Sequence, residues 1–134
     1  MVRIRSRIED NTHIYKIMYM GSSREGLCVY HNSNPDVVDL AISNEEMKAF
    51  AIGVITNDYG PSVEIAMKGD VNILLEGGVT ANPGDSLFLS GTESGKVTTI
   101  PPTAGFIVRM GIVAKVKSVD VVQATLSIAE PIGL

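Results

Sequence analysis

FAIGVITNDYGPSVEIAMKGDVNILL, residues 50–75, decides the fold class. Phe50 to Thr56 is a short run rich in β-branched residues, which packs well on a pleated surface and poorly in a helix. Asn57-Asp58-Tyr59-Gly60-Pro61 is a dense turn signal. Beyond it Val63, Ile65 and Met67 alternate with Glu64, Ala66 and Lys68, the period of a half-buried strand. Gly69-Asp70 reads as a tight turn, and Val71 to Leu75 as the next strand. Two strands joined by a turn, with a third close behind, commit this stretch to β-sheet.

The same rhythm extends in both directions. On the N-terminal side, His13 to Met20 reads as a strand, Gly21 to Gly26 as a polar turn, and Leu27 to Tyr30 as a second strand forming a hairpin with the first. Val37 to Ile42 suggests another strand. Asn44-Glu45-Glu46-Met47 is the one helical signal, a single turn with Ser43 as its cap and Glu46 at the third position. On the C-terminal side, strands are expected at Ser86 to Ser90, Val97 to Ile100, Phe106 to Val116 and Val121 to Ile128, separated by Gly, Pro and Asn clusters. Strands every 8–12 residues predict an all-β domain, a small antiparallel barrel or a two-sheet sandwich. Phe50-Ala51-Ile52-Gly53-Val54-Ile55 and its hairpin are echoed by Val108-Arg109-Met110-Gly111-Ile112-Val113 and the hairpin that follows. The echo suggests two related hairpins closing one barrel, with Gly53 and Gly111 at bulges.

Residues 1–12, MVRIRSRIEDNT, stand apart. Arg3, Arg5 and Arg7 alternate with Ile4 and the segment continues to Ile8, which gives strand periodicity with charge on one face. This is expected to be an extended arm that orders on contact, or an edge strand blunted by arginines. The domain organisation expected is therefore an arm, 1–12, and one β domain, 13–134. Residues 1–30 carry five basic and three acidic side chains, against six and twelve in residues 31–134. A small cationic arm sits on an acidic body.

Composition narrows the function classes. The 134 residues carry a net charge of −4, which argues against nucleic acid as partner. Hydrophobic residues reach 45%, enough for a real core, and the absence of Trp makes that core aliphatic. The single cysteine, Cys28, has no partner for a disulfide and sits between Leu27 and Val29 as a buried small hydrophobe. No apolar run approaches the ~20 residues of a bilayer span, and the N-terminus lacks the apolar segment of a secretory signal.

Catalytic and metal motifs are weak. Gly84-Asp85-Ser86-Leu87 spells the GDSL string of a hydrolase family, but such a serine needs a downstream histidine. The two histidines, His13 and His31, both lie upstream. The string follows Asn82-Pro83 and is expected to be a turn. Neither histidine stands at metal-ligand spacing. The expectation is a protein without catalytic residues, cofactor or metal, working by docking on something large.

Residues 49–130 resemble a domain recurrent in virion proteins of tailed bacteriophages, in capsid decoration (cement) proteins and in the bases of head or tail fibres. The likeness rests on Phe50 to Ile55, Val63 to Gly69, Asn82-Pro83-Gly84-Asp85-Ser86-Leu87-Phe88-Leu89-Ser90, Gly95 to Thr99, Pro101-Pro102 and Val108 to Val113. Residues 13–48 carry no such likeness and are assigned to hairpins on the attachment side. The resemblance implies a structural protein of the phage particle, a homotrimer at local threefold positions on the outer surface of the capsid. Its partner would be the major capsid protein, and Arg3, Arg5, Arg7, Ile4 and Ile8 would be the contact residues. A fibre-base or adaptor role and a carbohydrate-binding β module are the alternatives.

Overall fold

The computed structural model describes residues 12–21 and 24–134. The arm residues Arg3, Ile4, Arg5, Arg7 and Ile8 lie outside the described residues. Five strands build the first unit: β1 (Thr12–Ile17), β2 (Cys28–His31), β3 (Val37–Leu40), β4 (Ala51–Asp58) and β5 (Ser62–Ala66). They close into a barrel in the order β1-β3-β2-β4-β5, with β5 returning to β1. The barrel resolves the choice between barrel and sandwich. It also corrects two expectations. β1 and β2 do not form a hairpin, because β3 lies between them. And the sheet is not wholly antiparallel, since β1 and β3 run parallel, Lys16 opposite Val37. An odd number of strands in a closed ring cannot alternate direction throughout, so one parallel pair is obligatory.

The second unit comprises β6 (Gly69–Leu74), β7 (Ser86–Leu89), β8 (Val97–Thr98), β10 (Arg109–Val116) and β11 (Val121–Leu126). Its order is β6-β11-β10-β7-β8. A parallel bridge between Leu75 and Val97 and a bond from Glu76 N–H to Val97 O (2.7 Å) bring its two end strands together. Two short strands, β9 (Phe106–Ile107) and β12 (Ile132–Gly133), pair with each other beside it. Phe106 to Val116 was expected as one strand. It is divided into β9 and β10 at Val108, which turns into the core.

The second unit repeats the first, strand for strand. Thr12 opposite Ala66 becomes Asp70 opposite Thr125, and Ile17 beside Val38 becomes Leu75 beside Val97. Val29 opposite Gly53 becomes Leu87 opposite Gly111. Irregularities repeat too. The β2–β4 ladder skips Ile52 and the β4–β5 ladder skips Thr56; the β7–β10 ladder skips Met110 and the β10–β11 ladder skips Ala114. Gly26 and Gly84 both carry positive φ (90° and 93°) and both donate to the strand across, at Ile55 and Val113. The two echoing hairpins therefore belong to two units, one each: the closed barrel, and a five-stranded sheet whose ends meet at a single bridge and which is called the second barrel below. The bulges sharpen the bend that rolls each sheet up. Gly53 and Gly111 allow a close approach: a methyl at either position would overlap the Ala66 or Thr125 carbonyl.

Each barrel is filled by its own alternating inward residues. Tyr15, Ile17, Val29, Val38, Ile52, Ile55, Val63 and Ile65 fill the first. Their counterparts Ile73, Leu75, Leu87, Val97, Met110, Val113, Val122 and Ala124 fill the second. The first barrel also buries the opposite face of its β2–β4 wall. Cys28, Tyr30, Ala41, Ala49, Val54 and Ala66 pack into the second barrel's cluster. Burying an apolar side chain of this size stabilises by roughly 1.5–3 kcal/mol, so this shared layer binds the two barrels firmly. The helical signal near residue 43 yields only one 3₁₀ turn, Met47–Ala49, with no side-chain cap. Ser43 does not cap it, since Ser43 is buried and its backbone joins the barrels: it donates to Ser90 O (3.0 Å) and accepts from Phe106 N–H (2.9 Å).

Candidate docking surface

The GDSL string forms the turn into β7. Asn82 N–H donates to the Asp85 carboxylate (2.8 Å), Asp85 N–H donates to Asn82 O (3.0 Å), and Gly84 supplies the positive φ. Ser86 then enters β7 opposite Ile112. His13 and His31 lie in the other barrel, exposed on either side of Tyr15, with ring centroids 6.3 and 5.2 Å from it. The structure thus does not bring Ser86 and the histidines together. Among the described residues, no group of three or more His, Cys, Asp or Glu is placed to hold a metal.

The strongest ionic feature was not legible in the sequence. Arg24, buried, spans the gap between β1 and the β4–β5 turn. Its Nε and Nη2 donate to the two oxygens of Asp58 (2.8 and 2.6 Å), and Nη1 donates to Tyr19 O (2.7 Å). Nη2 also donates to Gly60 O. The guanidinium holds the Asp58 carboxyl down at about 2, so the pair stays charged in all but strong acid. A second clasp joins the loops of the other barrel. Glu93 accepts from Gly77 N–H (2.9 Å) and Lys96 Nζ (3.1 Å), and these donors keep its carboxyl below the usual range. Burial pushes the Cys28 thiol far up, as expected for an inert core position.

Two grooves border the barrels. One, of about 420 Å³, follows the seam and includes Glu25, Thr56, Asp70 and Asn72. The other, of about 520 Å³, lies between Asn44 and the loops around Thr92 and Pro101-Pro102. Its one carboxylate, Glu76, is engaged by Ser90 Oγ (2.5 Å) and Thr92 Oγ1 (3.1 Å). The rest of the second lining is backbone, hydroxyls and apolar groups, whereas the first carries two carboxylates, Glu25 and Asp70.

The outer wall of the second barrel offers the most distinctive surface. Its β7–β10 face presents Phe88 and Ile112, flanked by Ile100 in the loop after β8 and by Ile107 in β9. By strand register Phe88 and Ile112 correspond to Tyr30 and Val54 of the first barrel, and the same offsets carried past the strand ends set Ile100 and Ile107 against Ala41 and Ala49. There the positions are closed: Val54 and Ala41 are 0% exposed. Here they are open: Ile112 is 40% and Ile100 67% exposed. Ile132, the cross-strand partner of Ile107, is 64% exposed and widens the patch. No sequence signal separates Ile112 from Val54, because alternation marks both as wall residues.

No protein-family model matches the chain. No curated protein matches it either. In structure it is similar to a chain of the capsid of Myoviridae phage XM1, with a TM-score of 0.60 over 86% of this chain and 81% of that one. The two are 14% identical. What they share is the fold.

Proposed function

We propose that this protein is a structural component of a tailed-phage virion, a capsid decoration protein that sits on the outer surface of the head and reinforces it. The observation that carries the reading is the fold shared with a phage-capsid chain across nearly the whole of both molecules. The residue pattern of 49–130 points the same way. The surface is consistent: two units joined by a shared core layer, with isoleucines exposed on an outer wall, suit a protein that acts by contact. The major capsid protein is the partner, and the decoration protein assembles as a homotrimer. Arg3, Arg5 and Arg7 pair with acidic shell loops while Ile4 and Ile8 fill gaps between subunits. Because only assembled shells bind it, the protein stabilises them by mass action, and repetition around the trimer multiplies the attachment.

The test is co-sedimentation with purified head shells. Removal of residues 1–12 is expected to abolish binding while far-UV circular dichroism is unchanged. Full binding by the truncated protein would refute the role of the arm. Gold label on a C-terminal tag is expected over the whole head, and label confined to the tail would assign the protein to a fibre base instead.

A further inference from the structure

We infer that the outer β7–β10 face of the second barrel is the surface through which copies of this chain pack on one another in a closed, symmetric assembly. The inference rests on the self-association proposed above but not on shell binding.

The internal repeat supplies the argument. The face is the counterpart of one already seen in use. In the first barrel the same wall positions, Cys28, Tyr30, Ala41, Ala49 and Val54, are covered by a barrel of this same fold. In the second barrel Ile100 and Ile112, the counterparts of Ala41 and Val54, are exposed, and Ser86, Phe88 and Ile107 are only half-buried. Isoleucines exposed on one barrel wall form an apolar surface that association removes from water. The open face is also continuous with the buried one. Phe106 packs against the shared core and donates to Ser43 O of the first barrel, and the next residue, Ile107, is half-buried and pairs with the exposed Ile132.

The same comparison decides how the copies meet. If the open face received the first barrel of the next copy, the contact would run head to tail. Within the chain, the core that the first barrel's wall joins includes Val71, Leu89 and Leu126. Their counterparts in the first barrel are His13, His31 and Met67, and both histidines are exposed. That end is polar, as the terminal unit of a repeat protein must be. The exposed stripe on β1 is no substitute, since Lys16 interrupts Ile14 and Met18, and Glu64 lies opposite Ile14. The apolar face therefore finds its match in the same face of other copies around a symmetry axis.

The experiment measures solution mass by light scattering for the full chain and for Ile112→Asp, Ile100→Asp and Met18→Asp. The wild type and Met18→Asp are expected to be oligomeric. Ile112→Asp and Ile100→Asp are expected to fall to the 14.3 kDa protomer with an unchanged dichroism spectrum. A cysteine variant guards against misfolding. Cys28 is buried, so Ile112→Cys and Val119→Cys each add one accessible thiol. Maleimide labelling is expected to be slowed at Ile112→Cys and not at Val119→Cys. A monomeric wild type overturns the inference together with the homotrimer, and if that monomer still sediments with shells, the face belongs to the shell protein and the shell-binding role stands. An oligomer that survives both isoleucine changes, or that Met18→Asp dissolves, also overturns it.

Discussion

Gly53 and Gly111 show how much one missing side chain decides. Each lies next to a bulged residue, and each lets the neighbouring strand approach so closely that a Cβ would run into a backbone carbonyl. Carbonyls within a ladder cannot move aside as a flexible side chain can. Gly53→Ala and Gly111→Ala are each expected to destabilise the protein by about 3 kcal/mol, at the upper end for overpacking. Urea titration followed by circular dichroism measures this, and a loss below 1 kcal/mol would mean that the barrels are looser than the ladders imply. The Arg24–Asp58 clasp works in the opposite way, through added contact. A buried guanidinium is tolerable because four acceptor contacts from Asp58, Tyr19 and Gly60 surround it.

Strands β4 and β10 are the same element in two settings. Both carry two bulges, both pair with a hairpin partner, and both place one branched residue, Val54 or Ile112, on the outer wall. The surroundings separate them. Val54→Asp would leave a carboxylate without a partner between the barrels and is expected to cost at least ~3 kcal/mol. Ile112→Asp faces solvent in the isolated chain, so the protomer's stability is expected to change by less than about 0.5 kcal/mol. Denaturant midpoints measured under dissociating dilution compare the two. Equal costs would show that the β10 wall is covered within the chain.

The two barrels share a core layer, and that layer makes the molecule behave as one unit. Cys28, Tyr30 and Val54 belong to the first barrel by strand and to the second by packing. Unfolding either barrel exposes them, so the transitions are coupled. The tyrosines allow a direct test. Tyr15, Tyr19, Tyr30 and Tyr59 all precede β6, and there is no Trp. Tyrosine fluorescence therefore reports the first barrel, whereas far-UV circular dichroism reports both. Coincident transitions are expected. A dichroism change that persists after the fluorescence change is complete would show a second barrel stable alone.

Local pattern carried much of this architecture. Alternation over 63–67, turn clusters at 57–61 and 82–85, and β-branched runs placed most strands to within a few residues, because burial on one face and turn chemistry are both written in neighbouring positions. Even the duplication left a trace, in the Gly53 and Gly111 hairpins. Its full extent stayed hidden, since a barrel interior demands only apolar bulk: Val29 answers to Leu87, Ile65 to Ala124 and Tyr15 to Ile73 with little identity. Strand partnership stayed hidden for another reason. That β3 would lie between β1 and β2, that Arg24 would reach Asp58, and that Val54 would be sealed while Ile112 stood open all depend on residues far apart in the chain. Such contacts exist only after the sheets close, when distance along the chain no longer measures distance in space.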